Sequence, residues 1–324
     1  MKKLIKSVVM ITISSFILLY GCKSDSGDSA AEAVTNGNYL TGSVATTDGK
    51  YDYYLLPNFK DKKIDIIREY DGNKKTVKSF DFLPEDLMCL EFSDGNLYYS
   101  SYGGIFKIKP DGSNEKKEEL SGPGTILSVK PSESIFYAAP KSIYYKVDFG
   151  KGIREEYSLL CTKPFIDNDT IYYVGPKGFG CCFYGIKGDQ IEEYDFVDNR
   201  ILNVVNCNGG MYGIYNDGLT KINISTNTEN ELVEFNESVL SLTYDENCFY
   251  VSLRNRDSKY HCTIVKYDIE TGATEQLCKL ENPPTKISIC NEWLYIYNTD
   301  SLIGDRYYNR VKTDGSVMEE LLSY

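Results

Sequence analysis

An aromatic-rich segment recurs seven times along this chain at steps of 36 to 46 residues, and that period limits the fold more than any other feature. It reads Tyr53-Tyr54-Leu55, Leu97-Tyr98-Tyr99, Ile135-Phe136-Tyr137, Ile171-Tyr172-Tyr173, Met211-Tyr212-Gly213, Cys248-Phe249-Tyr250 and Leu294-Tyr295-Ile296. A second series keeps step with it: Asp71-Gly72, Asp111-Gly112, Gly150-Lys151-Gly152, Gly188-Asp189, Thr226-Asn227, Thr271-Gly272 and Asp314-Gly315. Aromatic and β-branched residues suit a pleated strand, and dipeptides such as Asp-Gly supply the positive φ of a tight hairpin turn. Two series in step describe one repeated strand-and-turn unit.

Each unit divides into four strands. The second runs Met88 to Phe92, Leu97 to Ser100, Ile105 to Lys109 and Lys116 to Leu120. The third repeats it with Ile126 to Lys130, Ser134 to Ala138, Ser142 to Val147 and Arg154 to Leu159. A four-stranded meander of about forty residues is the unit of a β-propeller. Such a sheet cannot cover both of its faces alone, whereas packing neighbours around an axis does so and leaves only short edges. The expectation is an all-β chain with a seven-bladed β-propeller over residues 37–324. Because the first unit is the least regular, six or eight blades are alternatives.

The N-terminus specifies an address. Lys2, Lys3 and Lys6 precede an uncharged apolar run from Ser7 to Tyr20, which is the pattern of a secretory signal peptide. The run is shorter than the ~20 residues a bilayer-spanning helix needs. Its end, Leu19-Tyr20-Gly21-Cys22, resembles a bacterial lipoprotein lipobox. That resemblance implies cleavage before Cys22, lipidation of its thiol, and residence in the bacterial cell envelope on the extracytoplasmic side of a membrane. Residues 23–36 are small, polar and acidic, and they cannot bury enough apolar surface to offset their ordering entropy. They read as a disordered tether between Cys22, at the end of the signal peptide of residues 1–22, and the domain at 37–324.

Charge excludes some partners. Removing residues 1–22 takes away three lysines and no acid, so the formal charge of -12 becomes -15. Such a surface repels phosphate backbones, and no nucleic acid is expected. It also lacks polybasic attraction to anionic lipid, which leaves membrane contact to the lipid anchor, and stable anchoring takes more than one acyl chain.

Units such as Leu97-Tyr98-Tyr99 followed by Ile105-Phe106-Lys107-Ile108-Lys109-Pro110-Asp111-Gly112-Ser113 resemble bacterial lipoprotein β-propellers related to the YWTD propellers of low-density-lipoprotein receptors. No unit carries Tyr-Trp-Thr-Asp intact, and Trp293 is the single tryptophan. The resemblance implies a fold and an extracytoplasmic binding role, with no catalytic residues to carry over.

The residues themselves give little support to catalysis or a cofactor. Apart from Cys22 there are nine cysteines, an odd number with no CxxC pair, and His261 is the one histidine. Neither a zinc centre nor any other metal site is expected. Cys89, Cys248 and Cys290 sit in apolar strand runs and read as small buried hydrophobes. His261 and Cys262 are adjacent in the chain, and adjacent strand positions face opposite ways, so they do not form a nucleophilic pair. Asp167 and Asp169 would share a face if extended; a glycosidase needs two carboxyls about 5–9 Å apart with a tuned acid, whereas acidic loop residues are far more often solvated surface. The run Asp167-Asn168-Asp169 lacks the EF-hand pattern for calcium.

Binding residues are expected on the loops that join second to third strands and one blade to the next, because loops on a rigid scaffold carry function. Arg254, Arg256 and Arg306 are candidates to hold a carboxylate or phosphate, or else they balance Asp257, Asp300 and Asp305 in solvated pairs. Tyr102, Phe179, Tyr215 and Tyr260 are candidates to stack on a sugar or a protein, or else they pack blade against blade. The expected function is a lipid-anchored binding protein or scaffold for an envelope protein, peptide or glycan. A propeller-based carbohydrate-active hydrolase or lyase is the alternative, and it requires two converging carboxylates in a deep axial cleft. A purely organising module would instead show a flat apolar patch on its outer strands.

Overall fold

The computed structural model describes residues 43–58, 61–81, 88–101, 104–119, 125–130, 134–139, 143–148, 152–158, 164–167, 170–187, 190–255, 261–298 and 307–323. The signal segment, Cys22 and the tether lie outside the described residues, as do Cys161, Asn168 and Asp169. Every regular element among the described residues is a strand.

The first sheet comprises β1 (Ala45–Thr47), β2 (Asp52–Asn58), β3 (Lys63–Tyr70) and β4 (Asn73–Asp81). The second comprises β5 (Leu90–Ser93), β6 (Asn96–Ser101), β7 (Gly104–Ile108) and β8 (Lys116–Glu119). The third comprises β9 (Thr125–Lys130), β10 (Ser134–Ala139), β11 (Ile143–Asp148) and β12 (Gly152–Ser158). The fourth comprises β13 (Phe165–Asp167), β14 (Thr170–Lys177), β15 (Gly180–Lys187) and β16 (Gln190–Tyr194). The fifth comprises β17 (Asn203–Cys207), β18 (Gly210–Ile214), β19 (Gly218–Asn223) and β20 (Thr228–Glu234). The sixth comprises β21 (Val239–Tyr244), β22 (Cys248–Arg254), β23 (Cys262–Asp268) and β24 (Thr274–Leu280). The seventh comprises β25 (Lys286–Cys290), β26 (Trp293–Asn298), β27 (Tyr307–Lys312) and β28 (Met318–Ser323).

These are seven antiparallel sheets of four consecutive strands each. The strand boundaries in the second and third sheets fall within about two residues of those expected, as such boundaries do. The first unit, expected to be the least regular, is a complete sheet with continuous β2–β3 pairing. Turn chemistry explains the hairpins: Asp71 and Gly72 have φ of 50° and 73°, and Gly272 and Gly315 have φ of 70° and 71°. A second local device recurs at the first turns. Asp48 Oδ1 accepts from the amides of Lys50 and Tyr51 while Tyr53 donates its hydroxyl to Oδ2 at 2.8 Å. Asp245 does the same with Asn247, Cys248 and Tyr250.

Register lines up one row of residues across each sheet, from buried to exposed. In the first sheet the row is Thr46, Tyr53, Arg68 and Lys75. The second has Glu91, Tyr98, Lys107 and Lys116, and the seventh has Ser288, Tyr295, Arg310 and Glu319. The sixth repeats it with Thr243, Tyr250, Lys266 and Glu275. The aromatic body is buried, and beside it Arg68, Lys107 and Lys266 on the third strands are half-buried, an arrangement long cationic side chains allow, whereas Arg310 of the seventh sheet is buried. The fourth sheet departs from the row, since Tyr172 faces Gly185. A Cβ on Gly185 would lie 3.1 Å from the Tyr194 hydroxyl and 3.3 Å from the Tyr172 ring, so a cation does not fit there.

First strands such as β17 and β25 are wholly buried, whereas last strands such as β20 are largely exposed. The first strands of neighbouring sheets pack together, including β1 with β5, β21 with β25, and β25 with β1. The last sheet thus returns to the first. Val44 N donates to Ser288 Oγ at 3.1 Å, and Asn291 Nδ2 donates to Asp52 Oδ1 at 2.6 Å. Lys286 Nζ reaches the Met88 carbonyl at 2.8 Å, bringing the seventh sheet to the second. Every sheet is made of consecutive strands, so among the described residues no sheet joins the two ends of the chain.

All eight described cysteines of this domain are free thiols, and six of them are buried. Cys89, Cys248 and Cys290 are buried in or beside strands, which accounts for them as small hydrophobes. His261 is exposed directly before β23 while Cys262 is fully buried.

Candidate binding face

Loops from second to third strands and sheet-to-sheet connectors lie on one side of the fold and are stitched together there. Val239 N donates to the Asn216 carbonyl at 2.7 Å, and Phe235 N donates to the Asp217 carbonyl at 2.6 Å. Arg254 N donates to the Ser238 carbonyl at 2.8 Å.

A pocket of about 280 Å³ opens beside the fifth sheet, between the connector that carries Asp198 and Arg200 and the strands β19 and β20. Its floor is a tight network. Glu229 Oε1 accepts the Tyr215 hydroxyl and, at 2.7 Å, the Thr220 hydroxyl. Its other oxygen accepts the Asp198 amide at 3.0 Å. Burial and the Glu229 carboxylate push the Tyr215 hydroxyl well above its ordinary pKa, so it stays a donor. At the connector Arg200 grips Asp198 through Nη2 at 2.9 Å and Nε at 3.1 and 3.2 Å. Asp217, Glu231 and Glu234 are exposed around the opening. Carboxylates so placed favour cationic groups.

Next to this pocket stands the β14–β15 hairpin. Lys177 pairs with Gly180 across a two-residue turn in which Gly178 has φ 59°. The Cys181 amide donates to the Asn199 carbonyl at 2.8 Å, which ties the hairpin to the same connector. Lys177 Nζ lies between Glu193 and Asp195 and donates to both. Cys182 is buried beside them, and its thiol, Glu193 and Asp195 place ligand atoms within 4.8 Å of one another. A thiolate with two carboxylates is a zinc-like donor set. Here the Lys177 ammonium is the cation between the carboxylates, and the cluster is accounted for as an ion pair.

Of the residues singled out from sequence, the structure brings Phe179 and Tyr215 to opposite sides of one connector. Phe179 sits at the hairpin tip with its ring fully in solvent. Tyr215 is buried, with its ring in the core cluster and its hydroxyl in the floor of the pocket. Arg254 is exposed at the end of β22, on a different sheet from the pocket. Tyr102, Arg256, Tyr260 and Arg306 lie outside the described residues. Asp198, Arg200, Asp217, Glu229, Glu231 and Glu234 were not foreseen. They are scattered over 37 residues of an acidic chain, and only the pairing of β19 with β20, with the bonds from the Asp198 amide to Glu229 and from the Phe235 amide to Asp217, puts them around one opening.

No family model and no curated protein matches the chain by sequence. Solved structures do match it. The β-propeller domain of the Trilobed protease from Pyrococcus furiosus aligns with a TM-score of 0.63 at 13% identity, over 90% of this chain and 98% of that one. TolB from Acinetobacter baumannii aligns with a TM-score of 0.50 at 13% identity, over 79% and 75% of the two chains. The extracellular domain of BT4673 from B. thetaiotaomicron aligns at 0.53 and 12% identity, over 78% of this chain and 38% of that one. The chain is therefore an all-β protein with a β-propeller fold. The Pyrococcus propeller has an open velcro topology.

Proposed function

We propose that this chain is an extracytoplasmic, lipid-anchored binding protein, a seven-bladed propeller that presents its loop face to an envelope protein, peptide or glycan. One observation carries the reading: a pocket with a hydrogen-bonded floor lies beside a solvent-exposed aromatic tip, both seated on the connector at Asp198–Arg200. Preformed pockets and rigid aromatic anchors lower the ordering cost of binding. The lipobox-like Leu19-Tyr20-Gly21-Cys22 supports the anchor. Propeller neighbours that include an extracellular domain are in keeping with the location. A carbohydrate-active enzyme needs two free carboxylates converging on substrate. The two at the floor of this pocket, Asp198 and Glu229, are instead taken up by Arg200, Tyr215 and Thr220.

Two experiments test the proposal. Metabolic labelling with palmitate should mark the wild-type chain and not Cys22→Ser. A photo-reactive residue at exposed Asn216, on the loop face, should form a discrete cross-linked species in intact cells, while one at exposed Glu275 on an outer strand should not. Equal cross-linking at both positions, or at neither, would count against a loop-face binding role.

A further inference from the structure

Phe179 is the most exposed large apolar side chain among the described residues, with a relative accessibility of 115%. The turn does not require it. Gly178, at φ 59°, takes the first central position of a two-residue hairpin loop, where glycine is needed. Phe179 at the second position supplies no special backbone geometry and buries nothing. The tip is nevertheless held firmly. Besides the Cys181 amide bond to Asn199, Gly180 abuts the same carbonyl so closely that a Cβ would stand 2.9 Å from it. A rigid, solvent-facing aromatic ring is the kind of side chain that anchors protein interfaces.

The charge around the ring selects the partner. Glu193, Asp195, Asp198, Asp217, Glu231 and Glu234 stand on the hairpin base, the connector and the pocket rim. The two cations among them, Lys177 and Arg200, are already bonded to carboxylates. We propose that the Phe179 tip and the acidic pocket form one docking surface for a basic protein segment. The ring inserts into an apolar recess of that partner, and the partner's Lys or Arg side chains enter the pocket. A second copy of this acidic chain is disfavoured by mutual repulsion. The inference rests on the loop-face reading above and names the partner's chemistry.

The test uses the full chain in cells, with Phe179 replaced by benzoylphenylalanine and a parallel variant carrying it at Asn216. The expected result is an adduct at position 179 whose cross-linked partner peptide, sequenced by mass spectrometry, has a net positive charge. That peptide, synthesised, should bind the wild-type chain and lose about tenfold in affinity with Phe179→Ser. Binding should also weaken as salt rises from about 0.05 to 0.3 M and with Glu231→Gln/Glu234→Gln. An acidic or neutral partner segment, an adduct to lipid or to a second copy, or unchanged binding by Phe179→Ser would overturn the inference. An adduct at Asn216 with none at position 179 would overturn it too and leave the loop-face reading standing. Adducts at neither position would sink both.

Discussion

Arg310 reaches from the seventh sheet into the first and sets its Nη2 2.9 Å from Glu69 Oε1, with both side chains more than nine-tenths buried. Nη1 adds a bond of 3.2 Å to the other carboxylate oxygen, which also accepts the Tyr54 hydroxyl at 2.9 Å. The guanidinium lies 4.3 Å over the Trp293 ring and bonds Glu319 through Nε at 2.7 Å. Among the described residues no sheet is shared between the first and last units, and this clasp links the two.

Removing one partner of a buried ion pair leaves the other charged and unsolvated. Arg310→Met should therefore cost about 3–5 kcal/mol in urea unfolding. The double change Arg310→Met/Glu69→Gln should recover a large part of it. A loss below about 1 kcal/mol would mean that the clasp is as weak as an exposed pair.

Acid should undo the clasp. Burial alone would raise the Glu69 carboxyl, but the hydrogen bonds from Arg310 and Tyr54 outweigh it and hold the group below its ordinary range. A lowered native pKa contributes stability that is complete above the unfolded value of about 4.3 and lost as pH falls through the native one. Stability measured by thermal unfolding should fall with acid in that window, and Glu69→Gln should flatten that part of the curve.

Asp52 should behave in the opposite sense. Burial raises its carboxyl, despite hydrogen bonds from Cys290 and Asn291 that lower it. Its contribution is then complete below the unfolded pKa of about 3.9 and declines as pH rises through the native value. Asp52→Asn keeps an acceptor for Asn291 and removes the charge. It should be more stable than wild type at pH 7, with the difference shrinking as both are taken towards pH 4.

Two turn glycines should differ in cost. At Gly72, φ is 73° and a Cβ would meet nothing within 4 Å, so Gly72→Ala should cost only the left-handed strain, about 1 kcal/mol. At Gly112, φ is 91° and a Cβ would fall 2.6 Å from the Val77 carbonyl oxygen. Gly112→Ala should cost clearly more, about 3 kcal/mol by the same thermal measurement.

The domain's thiols should be sluggish. Burial pushes Cys262 and Cys278 up to about 12 and Cys248 up to about 11, so little thiolate exists at pH 8. Iodoacetamide followed by peptide mapping should leave these three largely unmodified in the native protein and modify them in urea. Rapid native labelling of Cys262 would contradict its complete burial.

Much of this architecture is legible in the residues alone. The aromatic segments became second strands, and turns such as Asp71-Gly72 took the positive φ their composition predicts. The row of Tyr53 with Arg68 and Lys75 was present as letters but could not be assembled, because it depends on register across two hairpins. Phe179 and Tyr215 looked alike as ligand-facing rings. One proved fully exposed and the other buried, since what covers a ring is decided by its neighbours and not by its own segment.

The sequence by itself determined the repeat, the strand-and-turn unit and the acidic charge, all of which arise from residues within about forty positions of one another. Period-two alternation and left-handed turn positions act locally, so neighbouring residues suffice to specify them. The tertiary structure alone decided that Arg310 meets Glu69, 241 residues away, and that Asn291 meets Asp52. Those contacts depend on how seven twisted sheets add up around a ring, and no single sheet contains that angle.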